Sequence, residues 1–429
     1  ANTRSDSMKT KQSTRTKKRS SANTKSKRPR KKSGTPPSHS DRDVERSRNA
    51  PVLLVAGEES GDLLGAAIVR EVLKKKKPAL WGCGGQRLRE AGVDVRFTSE
   101  ELSTIGFFEA AKNYRRLTKI MDKLVAEAVL NGTREAWLID FPGFNIMLAK
   151  KLKEKGIRCT MIVSPTVWAW KYKRVFKIRD RFERVLCLYD FEPDIYNKIG
   201  VEAHYIGHPL TAETVNLRAK IARTGNPIRQ VPQLREVFRR KMPVIAVMPG
   251  SRPAEVQHHM ERIIEAIRLF ARKHLGYAYI IPAANAKIHE ILSRYSLPEN
   301  TFLVEYGAPY ALDIARAAIA CSGTVTLECA LFGVPHLILY RSSWMSYAIF
   351  KRVVRIPYIG MVNVLAGKFV VQEFLQHRLT AQNIAVELGN ILHDESYRSA
   401  QKGELRKIAN RLTTHEPAKQ AASILLKSL

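Results

Sequence analysis

Short apolar runs recur along this chain, and each stops at a Gly, an Asp or a polar loop before helical spacing begins. Val52-Leu53-Leu54-Val55-Ala56 ends at Gly57, and helical spacing follows from Asp62 to Val69. Ala136-Trp137-Leu138-Ile139 stops at Asp140 before a helix-like stretch to Lys155. The stretches 158–163 and 185–188 read as further strands. A second series holds 244–248, 277–281, 318–321 and 336–340, with a long amphipathic helix between its first two members. Strands alternating with helices need a parallel sheet covered on both faces, because the crossovers lie on those faces. The expected fold class is therefore α/β, with two doubly wound Rossmann-like domains facing one another across a cleft. Their expected spans are 51–212 and 243–429. The polar, proline-bearing stretch 213–242 reads as a linker, and the last helices are able to pack back on the first domain.

The first 50 residues are a different material. They hold sixteen Lys and Arg against four Asp and Glu, and no Leu, Ile, Phe, Trp or Tyr. Such a segment cannot bury enough apolar surface to offset chain entropy, so residues 1–50 are expected to form a disordered basic tail. Nucleic acid or an anionic membrane would attract it, and a dispensable solvated extension is the plainer reading. A net charge of +20 remains on the rest of a chain whose total is +32. The first methionine is Met8, which leaves the start of translation open. No apolar run reaches the roughly 18 residues of a membrane-spanning helix, and no secretory apolar core follows the basic start, so a cytoplasmic protein is expected. The five cysteines are scattered with no metal-ligand spacing and read as reduced, buried thiols.

Ligands of open α/β sheets sit beyond the carboxyl ends of strands, so the loops there carry the candidate chemistry. In the second domain, Pro249-Gly250-Ser251-Arg252 offers backbone N–H groups and a guanidinium to a phosphate, or forms an ordinary turn. Ser322-Gly323-Thr324 opens a helix whose orphan N–H groups favour an anion. Glu328, about one turn in, can accept from ribose hydroxyls, although capping and dipole compensation would explain the same residues. Asn285, Tyr306 and Gly307 are plausible lining groups or simple loop residues. In the first domain, Gly57-Glu58-Glu59-Ser60-Gly61-Asp62 is not a dinucleotide fingerprint, and its carboxylates suit hydroxyl-rich ligands better than a pyrophosphate. Asp140, beside Phe141 and Phe144, suits a general base and equally suits a helix cap. His208 alone reads as structural. Two aromatic–basic stretches, from Ile105 through Phe107, Phe108, Arg115 and Arg116, and from Trp344 to Arg355, fit either core helices or a bilayer surface.

Together these segments closely resemble the lipid-A-disaccharide synthases, a family of bacterial glycosyltransferases, from about Val52 to about Gln376. The resemblance rests on 56–62 (AGEESGD), 140–145 (DFPGFN), 163–170 (VSPTVWAW), 249–252 (PGSR), 322–329 (SGTVTLEC), 357–358 (PY), 363–367 (NVLAG) and 371–376 (VQEFLQ). It implies a two-domain glycosyltransferase fold of the B type. It also implies inverting transfer of 2,3-diacylglucosamine from UDP to 2,3-diacylglucosamine 1-phosphate, forming a β-1,6 linkage without a metal or other cofactor. By position, Asp140 matches the family's proposed base and Arg252 an arginine needed for activity. Glu328 with Ser322, Gly323 and Thr324 matches the nucleotide site, and Glu59, Ser60 and Asp62 the first-domain cleft loop. Gly250, Ser251, Asn145, Asn363, Gln372 and Glu373 lie in the same motifs and are expected at the substrates. The stretch holding Phe107, Phe108, Arg115 and Arg116 matches the family's membrane contact, which implies a peripheral protein on the cytoplasmic face of the inner membrane. A homo-oligomer is allowed and no specific nucleic acid is expected. Gly143 departs from the family, where many members carry a second Asp, and this raises the alternative of a catalytically weakened relative. Another UDP-sugar enzyme on the same fold and a polyanion-binding protein are the remaining alternatives.

Overall fold

The computed structural model describes residues 50–103, 110–342 and 356–429. The basic tail up to residue 49, Phe107, Phe108 and the aromatic–basic run 344–355 lie outside these residues. Two parallel sheets organise the rest. The first joins β1 (Val52–Ala56), β2 (Leu80–Gly84), β3 (Asp94–Thr98), β4 (Glu135–Ile139), β5 (Arg158–Ile162), β6 (Arg184–Cys187) and β7 (Glu202–Tyr205). Its spatial order is β3-β2-β1-β4-β5-β6-β7. The second joins β8 (Val244–Met248), β9 (Ala278–Pro282), β10 (Thr301–Val304), β11 (Ala315–Cys321), β12 (His336–Tyr340) and β13 (Glu373–Leu375), in the order β10-β9-β8-β11-β12-β13. These are the two doubly wound α/β domains expected from the alternating runs.

Each sheet is buried on both faces, which is why its central strands read as unbroken apolar runs. Leu53 and Val55 face one core while Val52, Leu54 and Ala56 face the other. Ile245 and Val247 likewise oppose Val244, Ala246 and Met248. All five cysteines are buried and free. No helix among the described residues is long and apolar enough to cross a membrane.

The stretch 213–242 is not a linker. Residues Pro209–Thr224 form a helix, two 3-10 turns follow at Pro227–Gln230 and Pro232–Leu234, and Arg235–Arg239 is helical again. Ile228, Leu234 and Val237 are buried in the core of the second sheet. The prolines begin these elements, at positions whose N–H is unpaired anyway, so they start helices here instead of breaking them. Only one narrow face of the segment is buried, which explains its polar composition.

The chain then returns. The Glu395–Leu412 helix stays with the second domain, and the Pro417–Leu425 helix packs on the Glu59–Leu73 helix of the first. Ala421, Ala422, Ile424 and Leu425 are buried in the first domain's core. Arg411 holds Asp190 through two hydrogen bonds of 2.9 and 3.0 Å, and Arg184 reaches Ser428 Oγ at 2.7 Å. Tyr189 joins Leu327, Leu331 and Leu365 in one apolar cluster between the domains.

The C-terminal helix is therefore part of the first domain's core. Leu425→Ala, at a fully buried position, is expected to lower unfolding stability by about 2–5 kcal/mol, read as a drop in the urea midpoint of the whole protein.

Candidate active site

Strand order reverses between β1 and β4 in the first sheet and between β8 and β11 in the second. At such a point neighbouring connections leave to opposite faces and open a crevice at the carboxyl edge. The four loops that line these two crevices are 57–62, 140–145, 249–252 and 322–328.

In the first crevice the chain makes a tight elbow after β4. Asp140 and Phe141 both take the left-handed conformation, at φ 49° and 47°. Such a pair is uncommon for non-glycine residues and needs support from its surroundings. Asn145, fully buried, supplies it by donating Nδ2–H bonds to the carbonyls of Ile139 (3.2 Å) and Asp140 (2.7 Å). Phe141 folds over the preceding loop, where a Cβ on Gly57 would lie 2.5 Å from its ring, so only glycine fits there. The elbow leaves the Asp140 carboxylate half-buried at the rim. Its Oδ1 accepts from the Phe141 N–H at 2.9 Å and its Oδ2 from Ser60 Oγ at 3.0 Å. Gly143 is exposed in the first turn of the Pro142–Lys153 helix, and a Cβ there would meet no atom within 4 Å. An aspartate there would fit without rearrangement.

The second crevice is a cavity of about 470 Å³. Gly250, Ser251, Arg252, Gly307, Ser322, Gly323, Thr324 and Glu328 line it, together with Met248, Glu255, Pro282 and Cys321. Gly250 has φ 144°, and a Cβ there would collide with Glu255 at 2.5 Å. Glu255 Oε2 accepts from the N–H groups of Ser251 (3.0 Å) and Arg252 (3.2 Å), and its Oε1 accepts from Arg252 Nη1 (3.3 Å). His259, buried in the same helix, donates from Nδ1 to the Pro249 carbonyl (2.6 Å) and accepts the Arg341 N–H at Nε2 (3.0 Å). That pairing needs the neutral ring, and burial pulls its pKa down. Glu328 Oε2 is buried without a hydrogen-bond partner. Burial pushes this carboxyl up to about 7, and Glu213 on the Pro209–Thr224 helix adds to the shift.

The two crevices share an electrostatic neighbourhood. The pKa of Glu58 is raised by partial burial and by Asp140 from its own domain, and lowered by Arg252 from the other. Glu59 pairs with Arg87 at 3.5 Å.

Several expected ligand contacts have other partners. Asp62 is buried, and its carboxylate accepts from the N–H groups of Gly85 (2.7 Å), Arg87 (3.0 Å) and Leu88 (3.2 Å), closing the start of the Gln86–Glu90 helix. Asn145 holds the elbow. Asn285 caps the Ala286–Leu292 helix through Ile288 N–H, and Tyr306 packs against Tyr310 with ring centroids 5.9 Å apart. Asn363 and Glu373 are buried and bound to each other at 2.8 Å. Asn363 Oδ1 accepts from Val370 and Val371, while Glu373 accepts from Ile359 and Gly360. They set the loop whose Ile359 carbonyl receives Ser322 Oγ–H at 3.3 Å. Gln372 donates to the Glu373 carbonyl at 3.4 Å. His208 caps the Pro209–Thr224 helix, with burial lowering its pKa to about 4. Arg115 and Arg116 are exposed, with Arg116 donating to the Glu101 carbonyl at 2.7 Å. Glu255 and His259 were not legible beforehand, because each reads as one polar position of an amphipathic helix. Their signal is the spacing of three and seven residues from Arg252.

Comparison with known proteins places these features in a family. The lipid-A-disaccharide synthetase family model matches residues 52–426. A lipid-A-disaccharide synthase of Coxiella burnetii is 34% identical over 382 residues, covering 88% of this chain and 98% of the relative. That of Methylobacillus flagellatus is also 34% identical, over 383 residues, covering 87% and 98%. Among solved structures, a UDP-GlcNAc 2-epimerase from Neisseria meningitidis bound to UDP-GlcNAc has a TM-score of 0.55 at 15% identity, over 88% of this chain and 99% of that one. The calicheamicin glycosyltransferase CalG4 has a TM-score of 0.57 at 12% identity, over 89% and 98%. These two show the shared fold.

The raised pKa of Glu328 makes ligand-free stability depend on pH. The folded carboxyl holds its proton up to about 7 and the unfolded one only to the ordinary 4.5. The contribution is therefore fully present below 4.5 and is lost as pH rises through 7. Glu192, pushed to about 7 by burial, adds a parallel slope. Thermal unfolding of Glu328→Gln against pH is expected to lose part of the fall in Tm between these values; an unchanged profile would show that Glu328 ionises normally.

Proposed function

The chain belongs to the lipid-A-disaccharide synthase family, and on that premise we propose how its two crevices divide the reaction. The protein is a glycosyltransferase of lipid A biosynthesis, and this family membership decides against the polyanion-binding alternative. In the proposed reaction, 2,3-diacylglucosamine 1-phosphate enters beside Asp140 and UDP-2,3-diacylglucosamine occupies the second-domain cavity. Asp140 takes the proton of the acceptor 6-hydroxyl. The freed oxygen attacks C1 of the donor sugar from the face opposite the diphosphate, the C1–O bond breaks, and its electron pair leaves with UDP. The product is a β-1,6-linked disaccharide 1-phosphate.

The single observation that carries this reading is the Asp140 carboxylate, half-buried at the rim of the first crevice and held there by two hydrogen bonds. Arg252 lines the cavity at the other sheet edge, so a base and a cation are each available, as a transfer between two substrates needs. Ser60 Oγ–H and the Phe141 N–H, both aimed at the carboxylate, support a role for Asp140 as an oriented base. Developing charge on the leaving diphosphate would be met by Arg252 and by the N–H groups that open the Val325–Phe332 helix, with no metal taking part. The orphan Oε2 of Glu328 suits a ribose hydroxyl, which would supply the hydrogen bond it lacks. Substrates carrying acyl chains would hold the protein peripherally at a membrane, and the proposed site is the cytoplasmic face of the inner membrane.

Asp140→Asn is expected to lower kcat by about 10²–10⁴-fold with little change in KM for the UDP-sugar, as the loss of a general base would. Turnover of detergent-dispersed substrates measures it. Near-normal turnover would remove the base assignment. In the same assay, dialysis against EDTA is expected to leave the rate unchanged, and loss restored by a divalent cation would overturn the metal-free mechanism.

A further inference from the structure

The geometry points to a further basic–aromatic surface, at residues 170–179, that docks the first domain on an anionic bilayer. Trp170, Tyr172 and Phe176 are large apolar side chains exposed by 40%, 41% and 43%. The Tyr172 and Phe176 rings meet edge to face with centroids 6.5 Å apart. Lys171 lies 4.3 Å from the Trp170 ring centroid, Arg174 lies 5.4 Å from it, and Arg179 lies 5.5 Å from that of Phe176. From 170 to 181 the chain holds six basic residues and one acidic residue. The rings are not surplus core residues, because Val175 and Ile178 already fill the buried face of the Arg174–Arg179 helix.

The patch is also held in place. Trp168 Nε1–H donates to buried Glu192 at 3.0 Å, and Trp170 Nε1–H to Thr166 Oγ1 at 3.1 Å. Ser164 Oγ meets Tyr196 OH at 2.9 Å. The turn therefore does not have to become ordered on binding.

Its position suits delivery of an acylated acceptor. The loop leaves the carboxyl end of β5, and β5 pairs with β4, whose end carries Asp140. Arg115 and Arg116, in the first half of the Ala110–Leu130 helix, belong to the same edge, since that helix runs from the end of β3 to the start of β4.

A bilayer fits these rings better than a nucleic acid does. Bases stack on open ring faces, whereas here cations cover a face of Trp170 and of Phe176. Aromatic bodies flanked by Lys and Arg match the headgroup level of a membrane, and each cation there is attracted to anionic lipid. The choice of a bilayer over other polyanions rests on the proposed reading of the substrates as lipids.

Sedimentation of the full chain with vesicles of phosphatidylcholine, with and without one-third phosphatidylglycerol, tests the surface. Two variants are used, one combining Trp170→Ser, Tyr172→Ser and Phe176→Ser, the other Lys171→Gln, Lys173→Gln and Lys177→Gln. Each is expected to bind anionic vesicles roughly tenfold or more weakly than wild type, with turnover of detergent-dispersed substrates unchanged. Vesicle binding equal to wild type in both variants would overturn the proposal. So would a loss of random-sequence RNA binding with vesicle binding intact. A wild type that forms no disaccharide in detergent, yet loses vesicle binding with the patch, would instead sink the transferase reading and keep the surface.

Discussion

Everything in the candidate site follows from the reversal of strand order in two parallel sheets. A parallel strand cannot return to its neighbour by a hairpin, so every connection crosses one face of the sheet. Where the order reverses, connections on opposite faces part at the carboxyl edge. The β1/β4 and β8/β11 pairs create two such partings, and the four loops of the candidate site are the loops that must leave there. The returning Pro417–Leu425 helix then joins the first domain's core, so the second domain is tied to the first by the chain's own end.

Much of the polar content of the motifs supports backbone. Asp62 closes a helix start, Asn145 holds a left-handed elbow, and Glu255 and His259 shape the loop before Arg252. Asn363 and Glu373 do the same for the loop touching Ser322. Buried polar groups with satisfied geometry fix one conformation, and a site built from loops needs that rigidity. Glu328 differs from the carboxylates of Asp62, Glu255 and Glu373, because its buried Oε2 has no partner.

The central strands were legible because burial on both faces removes polar positions from them. Strands β2, β3, β7, β10 and β13 were not read beforehand. β2 is the glycine-bearing LWGCG, β3 is the partly exposed DVRFT, and β13 has only three residues. In the site, Asp140, Gly250 to Arg252 and Ser322 to Glu328 were legible as loops directly after strands. Asp62, Asn145, Asn363 and Glu373 sit in equally recognisable motifs, but a motif does not reveal whether a carboxylate or amide faces a ligand or a backbone N–H. The segment 213–242 was misread because prolines at helix starts resemble prolines in linkers. The 170–179 surface begins at the last residue of the family-like stretch 163–170 and was not read, since exposure of an aromatic residue is a property of packing and not of composition.

The most direct measurement is mass spectrometry of the products formed when the purified protein, in detergent, receives UDP-2,3-diacylglucosamine and 2,3-diacylglucosamine 1-phosphate together. A tetraacylated disaccharide 1-phosphate, with UDP released in step, is the expected result. A folded protein that leaves both substrates intact, or that releases UDP only by hydrolysing the donor, would contradict transfer between the two crevices.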